Sequence, residues 1–316
     1  MRTVTAVILA TSLSIFSTFG PALAGGDKNL FIMGWDGTGL RNIRPLLNQG
    51  RLPNLKALLD SNCVMVPLEI HTSTLTVPCW TVFFTAMDYD VTQACGNKRF
   101  DAQYGISMIS HYGLDLWLTS LPYSYSVVQP IQEAGYSIGW YASKTFLGSA
   151  PYDSPLSEVA ENADDFFQAM PLPTDWGDAY LDELTSRSIR FIRNASNPFL
   201  VFLLTNPDYY GHKHGENGDR YLEEFERSDE KLGKILPFLG NDTHIIILTD
   251  HGFDEGKTTH RNAPDCWMVT NLPVHSAYVN QSNQKAFASY RDVLFSYLKM
   301  KGLPVNDFMR GKNIFK

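Results

Sequence analysis

The chain has 316 residues, of which 44% are hydrophobic and 13% aromatic, and its formal net charge is −7. A chain of this length and composition can form one large α/β domain or two smaller ones, and it is too apolar for a disordered protein. It contains no cluster of lysine and arginine, so no nucleic-acid-binding surface is evident.

The N-terminus has the pattern of a secretory signal peptide. Arg2 precedes an apolar run from Val4 to Phe19, and Ala22-Leu23-Ala24 supplies the small residues of a cleavage site. An uncleaved anchor is the weaker alternative, because the run is short for a membrane-spanning helix. We therefore expect residues 1–24 to be removed near Ala24. The mature chain is then exported, periplasmic or secreted, and has no transmembrane segment.

Four apolar runs rich in β-branched and aromatic residues follow along the chain. They are Asn29–Trp35, Ser137–Tyr141, Phe199–Thr205 and His244–Thr249. Because their apolar residues are continuous rather than alternating, these runs predict strands that are buried on both faces. Helical patterns lie between them: one begins at Pro53, one covers about 178–193, and one covers about 219–236 with a single apolar face.

This order predicts an α/β fold with a mostly parallel central sheet and helices on both faces. Residues 25–316 are expected to form one catalytic domain. Residues from about 98 to 175 are rich in Tyr, Ser, Pro and Gly and are less regular. We interpret that stretch as a small, cap-like insertion, and nothing in the pattern specifies an oligomeric state.

Four cysteines remain after the predicted cleavage: Cys63, Cys79, Cys95 and Cys266. An even number in an exported chain allows two disulfides, in any of three pairings. Their spacing lacks the CxxC pattern of a zinc-thiolate site. Free buried thiols are the alternative, and both stay open at this point.

Three of the predicted strands are followed by candidate metal ligands. Ligands of open α/β sheets bind beyond the carboxyl ends of strands, and mixed carboxylate and imidazole ligands suit zinc better than calcium or magnesium. Each strand end alone is more typical of a turn or a helix cap, but three together predict a metal site. The candidates are Asp36 after the first strand, Asp208 and His212 after the third, and Asp250 and His251 after the fourth.

A candidate nucleophile lies between the first two strands. Thr76 stands two residues before Pro78, which suits the first turn of a helix. A helix entrance offers free backbone N–H groups to an anion such as phosphate. A threonine hydroxyl needs a base or a metal to become a good nucleophile. The alternative role for Thr76 is a simple helix N-cap.

These elements, in this order, resemble the alkaline phosphatase superfamily, and most closely its type I phosphodiesterase/nucleotide pyrophosphatase branch. The resemblance covers most of the mature chain. The matching motifs are Asp36-Gly37-Thr38-Gly39, Gly50-Arg51-Leu52-Pro53-Asn54-Leu55, Thr76-Val77-Pro78, Asp208-Tyr209-Tyr210-Gly211-His212, Asp229-Glu230-Lys231-Leu232-Gly233, and Asp250-His251-Gly252 with His260.

The resemblance implies two zinc ions, although other divalent transition metals are compatible with the same ligands. Asp36, Asp250 and His251 would bind one ion, which also contacts Thr76. Asp208, His212 and His260 would bind the second. Thr76 would attack phosphorus and form a phosphothreonine intermediate. His260 follows His251 more closely than in many relatives, and His275 is the weaker candidate for the same role.

Two further residues are assigned to the substrate by the resemblance. Asn97 matches an asparagine that holds a phosphoryl oxygen, with a turn residue as the alternative. Lys144 matches the lysine of a Lys-x-Arg pair that binds terminal phosphates, but the arginine is missing here. Because a phosphate monoester carries two negative charges, this loss favours a diester. A surface lysine is the alternative for Lys144.

The sequence therefore predicts an exported hydrolase of phosphodiesters or nucleotide pyrophosphates, acting on a small phosphate ester or a nucleotide. A phosphomonoesterase, a phosphonate hydrolase and a phospho-group transferase with the same nucleophile are alternatives, as is a non-catalytic binding protein. Sulfatase chemistry through formylglycine is disfavoured, because Cys79 follows Pro78 instead of preceding it.

Overall fold

The structure is a computed structural model, and it describes residues 29–88, 126–143, 163–168, 178–263, 266–279 and 287–316. The predicted signal peptide, Asn97 and Lys144 lie outside these residues, so the expectations for them stay predictions. Within the described residues, no helix combines the length and the apolar character needed to cross a bilayer.

The described residues form one eight-stranded sheet, which confirms the predicted fold class. Its order is β4-β3-β5-β1-β6-β7-β2-β8. The sheet is parallel except at β7, which runs antiparallel to both of its neighbours. The strands are β1 (Leu30–Trp35), β2 (Val64–Glu69), β3 (Ser137–Ala142), β4 (Asp165–Gln168), β5 (Pro198–Leu204), β6 (His244–Leu248), β7 (Cys266–Thr270) and β8 (Ala288–Ser289).

Helices cover both faces of this sheet. The predicted helix at Pro53 is confirmed, and the two longer predicted helices end within one residue of the expected positions. The helices in the described residues are α1 (Leu40–Asn48), α2 (Pro53–Ser61), α3 (Thr76–Thr85), α4 (Val128–Glu133), α5 (Asp178–Asn194), α6 (Asn206–His214), α7 (Asp219–Ile235), α8 (Ser276–Val279) and α9 (Tyr290–Met300).

The continuous apolar strands contribute side chains to two separate cores, because successive side chains of a strand point to opposite faces of the sheet. Ile32 of β1 belongs to the core that is covered by α3, α4 and α9. Its neighbours Phe31 and Met33 belong to the core that is covered by α1, α2, α5 and α7. Burial on both faces is therefore the physical reason that β1, β5 and β6 read as uninterrupted apolar runs.

The predicted insertion needs a correction. Two parts of the stretch from 98 to 175 belong to the central sheet, where β3 pairs with β5 and β4 pairs with β3. Strand β3 is buried at all but its first residue and contributes Ile138 and Trp140 to a core. One edge of the central sheet therefore lies within this compositionally irregular stretch. The rest of the stretch lies outside the described residues.

The three described cysteines, Cys63, Cys79 and Cys266, are buried thiols outside any disulfide. Two disulfides would require all four cysteines, so that alternative is wrong. Burial raises the pKa of Cys63 to about 11 and raises that of Cys79 well above its usual value. Both thiols are thus held in the unreactive, protonated form.

A buried carboxylate fixes the start of α2. Asp229 of α7 accepts hydrogen bonds from the backbone N–H groups of Asn54 (3.0 Å) and Leu55 (2.7 Å), and from the Asn54 side chain at 2.9 Å. These backbone groups have no partner within the helix, since they belong to its first turn. The interaction joins α7 to the first turn of α2.

We predict that Asp229→Ala lowers the free energy of unfolding by roughly 2–4 kcal/mol, because buried donors at a helix start lose their acceptor. The matched control is Asp60→Ala, which removes an exposed ion pair with Lys56. The control should change stability by less than about 1 kcal/mol. Urea denaturation of the three proteins checks this, and equal losses in both variants would contradict the assignment.

Candidate metal centre

The candidate ligands meet at the carboxyl edge of the sheet because their strands are neighbours. Strand β1 lies between β5 and β6, with Trp35 paired to Leu204 and Gly34 paired to Leu248. Asp36, Asp208 and Asp250 follow these three strand ends. The approach is close: Gly37 has φ +75°, and a Cβ atom there would lie 2.9 Å from the Cα of Asp208.

Asp208, His212 and His260 form a first group, here called the Asp208 cluster. The Nε2 atoms of His212 and His260 are 3.0 Å apart. Oδ1 of Asp208 lies 3.4 Å from Nε2 of His212 and 3.5 Å from Nε2 of His260. Asp208 and His212 are one helical turn apart in α6, so both side chains project from the same face. The structure thus brings the predicted set together.

Asp36, Asp250 and His251 form the Asp36 cluster. Nε2 of His251 lies 3.4 Å from Oδ1 of Asp36 and 3.6 Å from Oδ2 of Asp250. The other oxygen of Asp250 accepts hydrogen bonds from the backbone N–H groups of Gly37 (3.1 Å) and His251 (3.0 Å). That arrangement leaves Oδ2 of Asp250 directed toward the imidazole.

The two clusters adjoin each other. Asp36, Asp208 and His251 each have a ligand atom that lies within 4.8 Å of the ligand atoms of the other two. The rings of His251 and His260 stack with centroids 4.0 Å apart. The sequence-based sets are therefore two halves of one centre, and Asp208 lies between them.

All three histidines are oriented in the same way. The Nδ1 atoms of His212 and His251 donate to the carbonyl oxygens of Thr258 (2.8 Å) and Gly252 (3.0 Å), and Nδ1 of His260 donates to that of Thr74. A ring that donates from Nδ1 in its neutral form carries its lone pair on Nε2. Each lone pair consequently points into the centre, as in metal-ligating histidines.

These distances fit zinc. Ligand atoms about 2.1 Å from one tetrahedral zinc ion are about 3.4 Å apart. The contacts within the Asp208 cluster, from 3.0 to 3.5 Å, and those within the Asp36 cluster, 3.4 and 3.6 Å, are close to this value. The Asp208 cluster therefore matches the spacing around a small divalent cation, and so do the distances from His251 to Asp36 and to Asp250.

The electrostatics also favour a cation. Asp36, Asp208 and Asp250 are all buried. Burial, together with the charge of Asp208, raises the pKa of Asp250 to about 7. Burial, together with His251, lowers the pKa of His260 to about 4, so this ring is neutral at neutral pH. The neutral imidazole of His260 among crowded carboxylates makes a site for a positive ion, since buried negative charge is unfavourable without a partner.

Thr76 lies at the same centre. Its hydroxyl donates to Oδ1 of Asp36 at 3.5 Å, and the side chain is fully buried. Thr76 is the first residue of α3, whose N-cap is Leu75. The capping role considered for Thr76 is therefore wrong, and the hydroxyl faces a candidate metal ligand instead.

His275, the alternative to His260, is not part of the centre. It lies beyond β7, where its backbone N–H donates to the carbonyl of Ile314. His214 is exposed and stacks on Tyr210. The geometry thus selects His260 from the two candidates.

Several supporting residues had no signal in the sequence. Thr74 and Thr258 orient histidines through backbone carbonyls, which any residue type possesses. Thr74 also donates its hydroxyl to the carbonyl of His260. Phe253 packs against all three histidine rings, and Gly211 makes room for it, because a Cβ at Gly211 would lie 2.5 Å from the Phe253 ring. Only the closeness of Thr74 to Thr76 could have drawn attention to it.

Comparison with known proteins decides the family. The family model of type I phosphodiesterases and nucleotide pyrophosphatases matches residues 30–290. The chain belongs to this family. Membership places it among enzymes that act on phosphoric esters, within a metal-dependent superfamily, and it confirms the resemblance described from the motifs.

Curated relatives match a shorter segment. The 2,3-bisphosphoglycerate-independent phosphoglycerate mutases of Escherichia coli O139:H28 and Salmonella typhi are each 26% identical over 136 residues. That segment is 42% of this chain and 26% of each mutase, so the similarity spans about a quarter of the mutases' length.

Solved structures show the same fold at low sequence identity. A putative sulfatase from Bacteroides thetaiotaomicron has a TM-score of 0.64 and 13% identity, and the match covers 90% of this chain and 73% of that one. The C-terminal periplasmic domain of EptC from Escherichia coli, in complex with Zn, has a TM-score of 0.55 and 13% identity over 92% and 88%. An alkaline phosphatase superfamily protein from Vibrio parahaemolyticus has a TM-score of 0.55 and 15% identity over 92% and 70%.

We predict that His212, His251 and His260 of the metal-free protein carry their proton on Nδ1 near neutral pH, because each Nδ1 faces a backbone carbonyl. Long-range ¹H–¹⁵N NMR spectra of the imidazoles distinguish the two tautomers. His71 is the control, since its Nε2 faces the carboxylate of Glu69. Protonation on Nε2 in any of the three site histidines would contradict the described orientation.

Proposed function

We propose that the protein is an exported phosphodiesterase or nucleotide pyrophosphatase that works with two zinc ions and a phosphothreonine intermediate. The observation that carries this proposal is the meeting of two ligand clusters beside a threonine hydroxyl. The Asp208 cluster has the spacing of a zinc site, His251 lies at that spacing from Asp36 and Asp250, and Thr76 contacts Asp36. Family membership supports the same chemistry.

In the proposed reaction, Thr76 Oγ1 forms a bond to phosphorus while the bond from phosphorus to the leaving oxygen breaks. The hydroxyl proton of Thr76 passes to Asp36, which already accepts its hydrogen bond. Asp36 then releases a proton to solvent, and the leaving oxygen takes one up from solvent. In the second step a water oxygen bonds to phosphorus and the Oγ1–phosphorus bond breaks, which restores threonine. The zinc ions would supply Lewis-acid stabilisation of the charge on both oxygens. The backbone N–H groups at the start of α3 favour the anionic phosphoryl group.

The proposed preference for a diester substrate depends on the residues that bind the phosphoryl oxygens. We propose that Asn97 and Lys144 bind phosphoryl oxygens. One lysine without the arginine of the Lys-x-Arg pair neutralises a diester better than a dianionic monoester. A phosphomonoesterase or phosphonate hydrolase would use the same nucleophile and metal ligands.

A phospho-group transferase is the second candidate, and a specific observation favours it. The curated relatives are named phosphoglycerate mutases, and an alcohol that replaces water in the second step would turn hydrolysis into transfer. The sulfatase neighbours do not favour a sulfatase, since their likeness is one of fold. Cys79, moreover, is a buried residue of α3 itself, and its thiol is directed to the carbonyl of Ser73.

We further propose that the mature enzyme works outside the cytoplasm, after removal of residues 1–24. The apolar run and the Ala22-Leu23-Ala24 site support this placement. N-terminal sequencing of the protein from a periplasmic or culture fraction tests it.

We predict that Thr76→Val lowers kcat by at least about 10³-fold, because the nucleophile is removed while the side-chain shape is kept. The matched control is Thr85→Val in the same helix, whose hydroxyl donates to the carbonyl of Thr81 and accepts from the backbone N–H of Met87, away from the candidate ligands. The control should keep its activity. Chelation should abolish the activity of the wild type, and zinc should restore it. Activity that survives Thr76→Val or chelation contradicts the mechanism.

The substrates for this assay are a bis-aryl phosphate, an aryl monophosphate, an aryl phosphonate and an aryl sulfate. We expect the bis-aryl phosphate to give the highest kcat/KM. A preference for the monophosphate or the phosphonate would select that alternative hydrolase, and product formation only with an added alcohol acceptor would select the transferase. Acid-quenched wild type should carry a phosphate on Thr76 by mass spectrometry, whereas Thr76→Val should not.

A further inference from the structure

Glu216 is a buried carboxylate beside the centre that neither cluster includes. It lies two residues beyond the end of α6, four residues after His212, and only 1% of its surface is exposed. We propose that Glu216 is a positioning residue that docks the loop carrying His260, and that it thereby sets the metal affinity of the Asp208 cluster. This inference rests on the proposed function for the identity of the ion.

Glu216 holds the loop of residues 252–263, here called the His260 loop, at two neighbouring points. Its Oε2 accepts a hydrogen bond from the backbone N–H of Gly256 at 2.9 Å. Its own backbone N–H donates to the carbonyl of Lys257, also at 2.9 Å. One bond uses the side chain and the other the main chain, so the loop is fixed against the end of α6.

The exposed middle of the His260 loop needs such an attachment, because the loop is otherwise held mainly near its ends, by the buried side chain of Phe253 and by the two hydrogen bonds between Thr74 and His260. Asp254 accepts hydrogen bonds from the hydroxyl of Thr259 at 2.7 Å and from the backbone N–H of Asn262 at 2.9 Å. These bonds give the loop a shape but not a position. Residues 255–259 are exposed, so few apolar contacts hold them down.

The contact between the His260 loop and Glu216 is linked to the metal centre through one carbonyl oxygen. Thr258 follows Lys257, and its carbonyl accepts the Nδ1–H of His212 at 2.8 Å. His260 follows two residues later. A shift of the loop would therefore move the carbonyl that orients His212 and loosen the support of His260, which is otherwise held by its two hydrogen bonds with Thr74. The Asp36 cluster has no ligand on this part of the loop, since His251 and its carbonyl partner Gly252 lie at the other end.

The attachment depends on an acceptor rather than on a charge. Arg41 is the nearest cation, but its Nη1 atom is 4.0 Å from Oε1 of Glu216 and 3.5 Å from the exposed Glu255. Arg41 is itself half exposed, and ion pairs of this kind contribute little. A glutamine at position 216 retains an oxygen for the N–H of Gly256, whereas an alanine does not.

The test uses Glu216→Ala, Glu216→Gln and, as the matched control, Glu255→Gln. Zinc is titrated into each metal-free protein against a chromophoric chelator, which gives a separate dissociation constant for each ion. Loss of a partner that orients a ligand typically weakens metal binding 10- to 100-fold. We expect Glu216→Ala to raise one dissociation constant by about 10- to 100-fold and to leave the other unchanged. Glu216→Gln and Glu255→Gln should resemble the wild type.

Hydrogen exchange of the metal-free proteins supplies a second measurement, independent of zinc. In Glu216→Ala the amides of residues 256–260 should exchange faster, while those of β1 and β5 should not change, which separates local release from unfolding. If the wild type binds fewer than two zinc ions, the proposed function fails, and the exchange result alone decides the inference. Unchanged exchange at 256–260, equal weakening of both ions, or a glutamine variant as defective as the alanine variant would each overturn the inference.

Discussion

The mutual repulsion of buried carboxylates is the constraint on which the site depends. Asp36, Asp208 and Asp250 are placed at the ends of three adjacent strands, away from water and close to one another. Burial of negative charge without compensation is costly, and the raised pKa of Asp250 reflects that cost. The imidazole of His260 does not compensate this negative charge, because its surroundings lower its pKa. A divalent cation bound by these carboxylates and histidines would resolve the conflict.

The arrangement is built mainly from backbone. Carbonyl oxygens of Thr74, Gly252 and Thr258 hold the three histidine rings, and backbone N–H groups hold one oxygen of Asp250. Strands buried on both faces provide the rigid support, since two cores clamp β1, β5 and β6. The loops add the remaining ligands. Function therefore depends on the register of three central strands and on the placement of one exposed loop.

Much of this was predictable from residue types. Continuous apolar runs identify strands buried on both faces, and Asp and His after those runs identify the ligands, because parallel strands end at one edge. The antiparallel direction of β7 was not predictable, since Cys266–Thr270 has no pattern that distinguishes it from a parallel strand. Strand β3 was predicted as the apolar run Ser137–Tyr141, whereas β4 was not, because it lies within a stretch whose composition suggested an insertion. The roles of Thr74 and Thr258 could not be predicted, because a carbonyl contact imposes no residue type.

Anomalous X-ray diffraction from zinc-loaded crystals tests directly whether the site binds two zinc ions. Data collected on both sides of the zinc absorption edge locate each ion without any assumption about activity. We expect two zinc ions about 4 Å apart. One would be bound by Asp36, Asp250 and His251, and the other by Asp208, His212 and His260. A single ion shared by both clusters, or zinc bound outside these six residues, would contradict it.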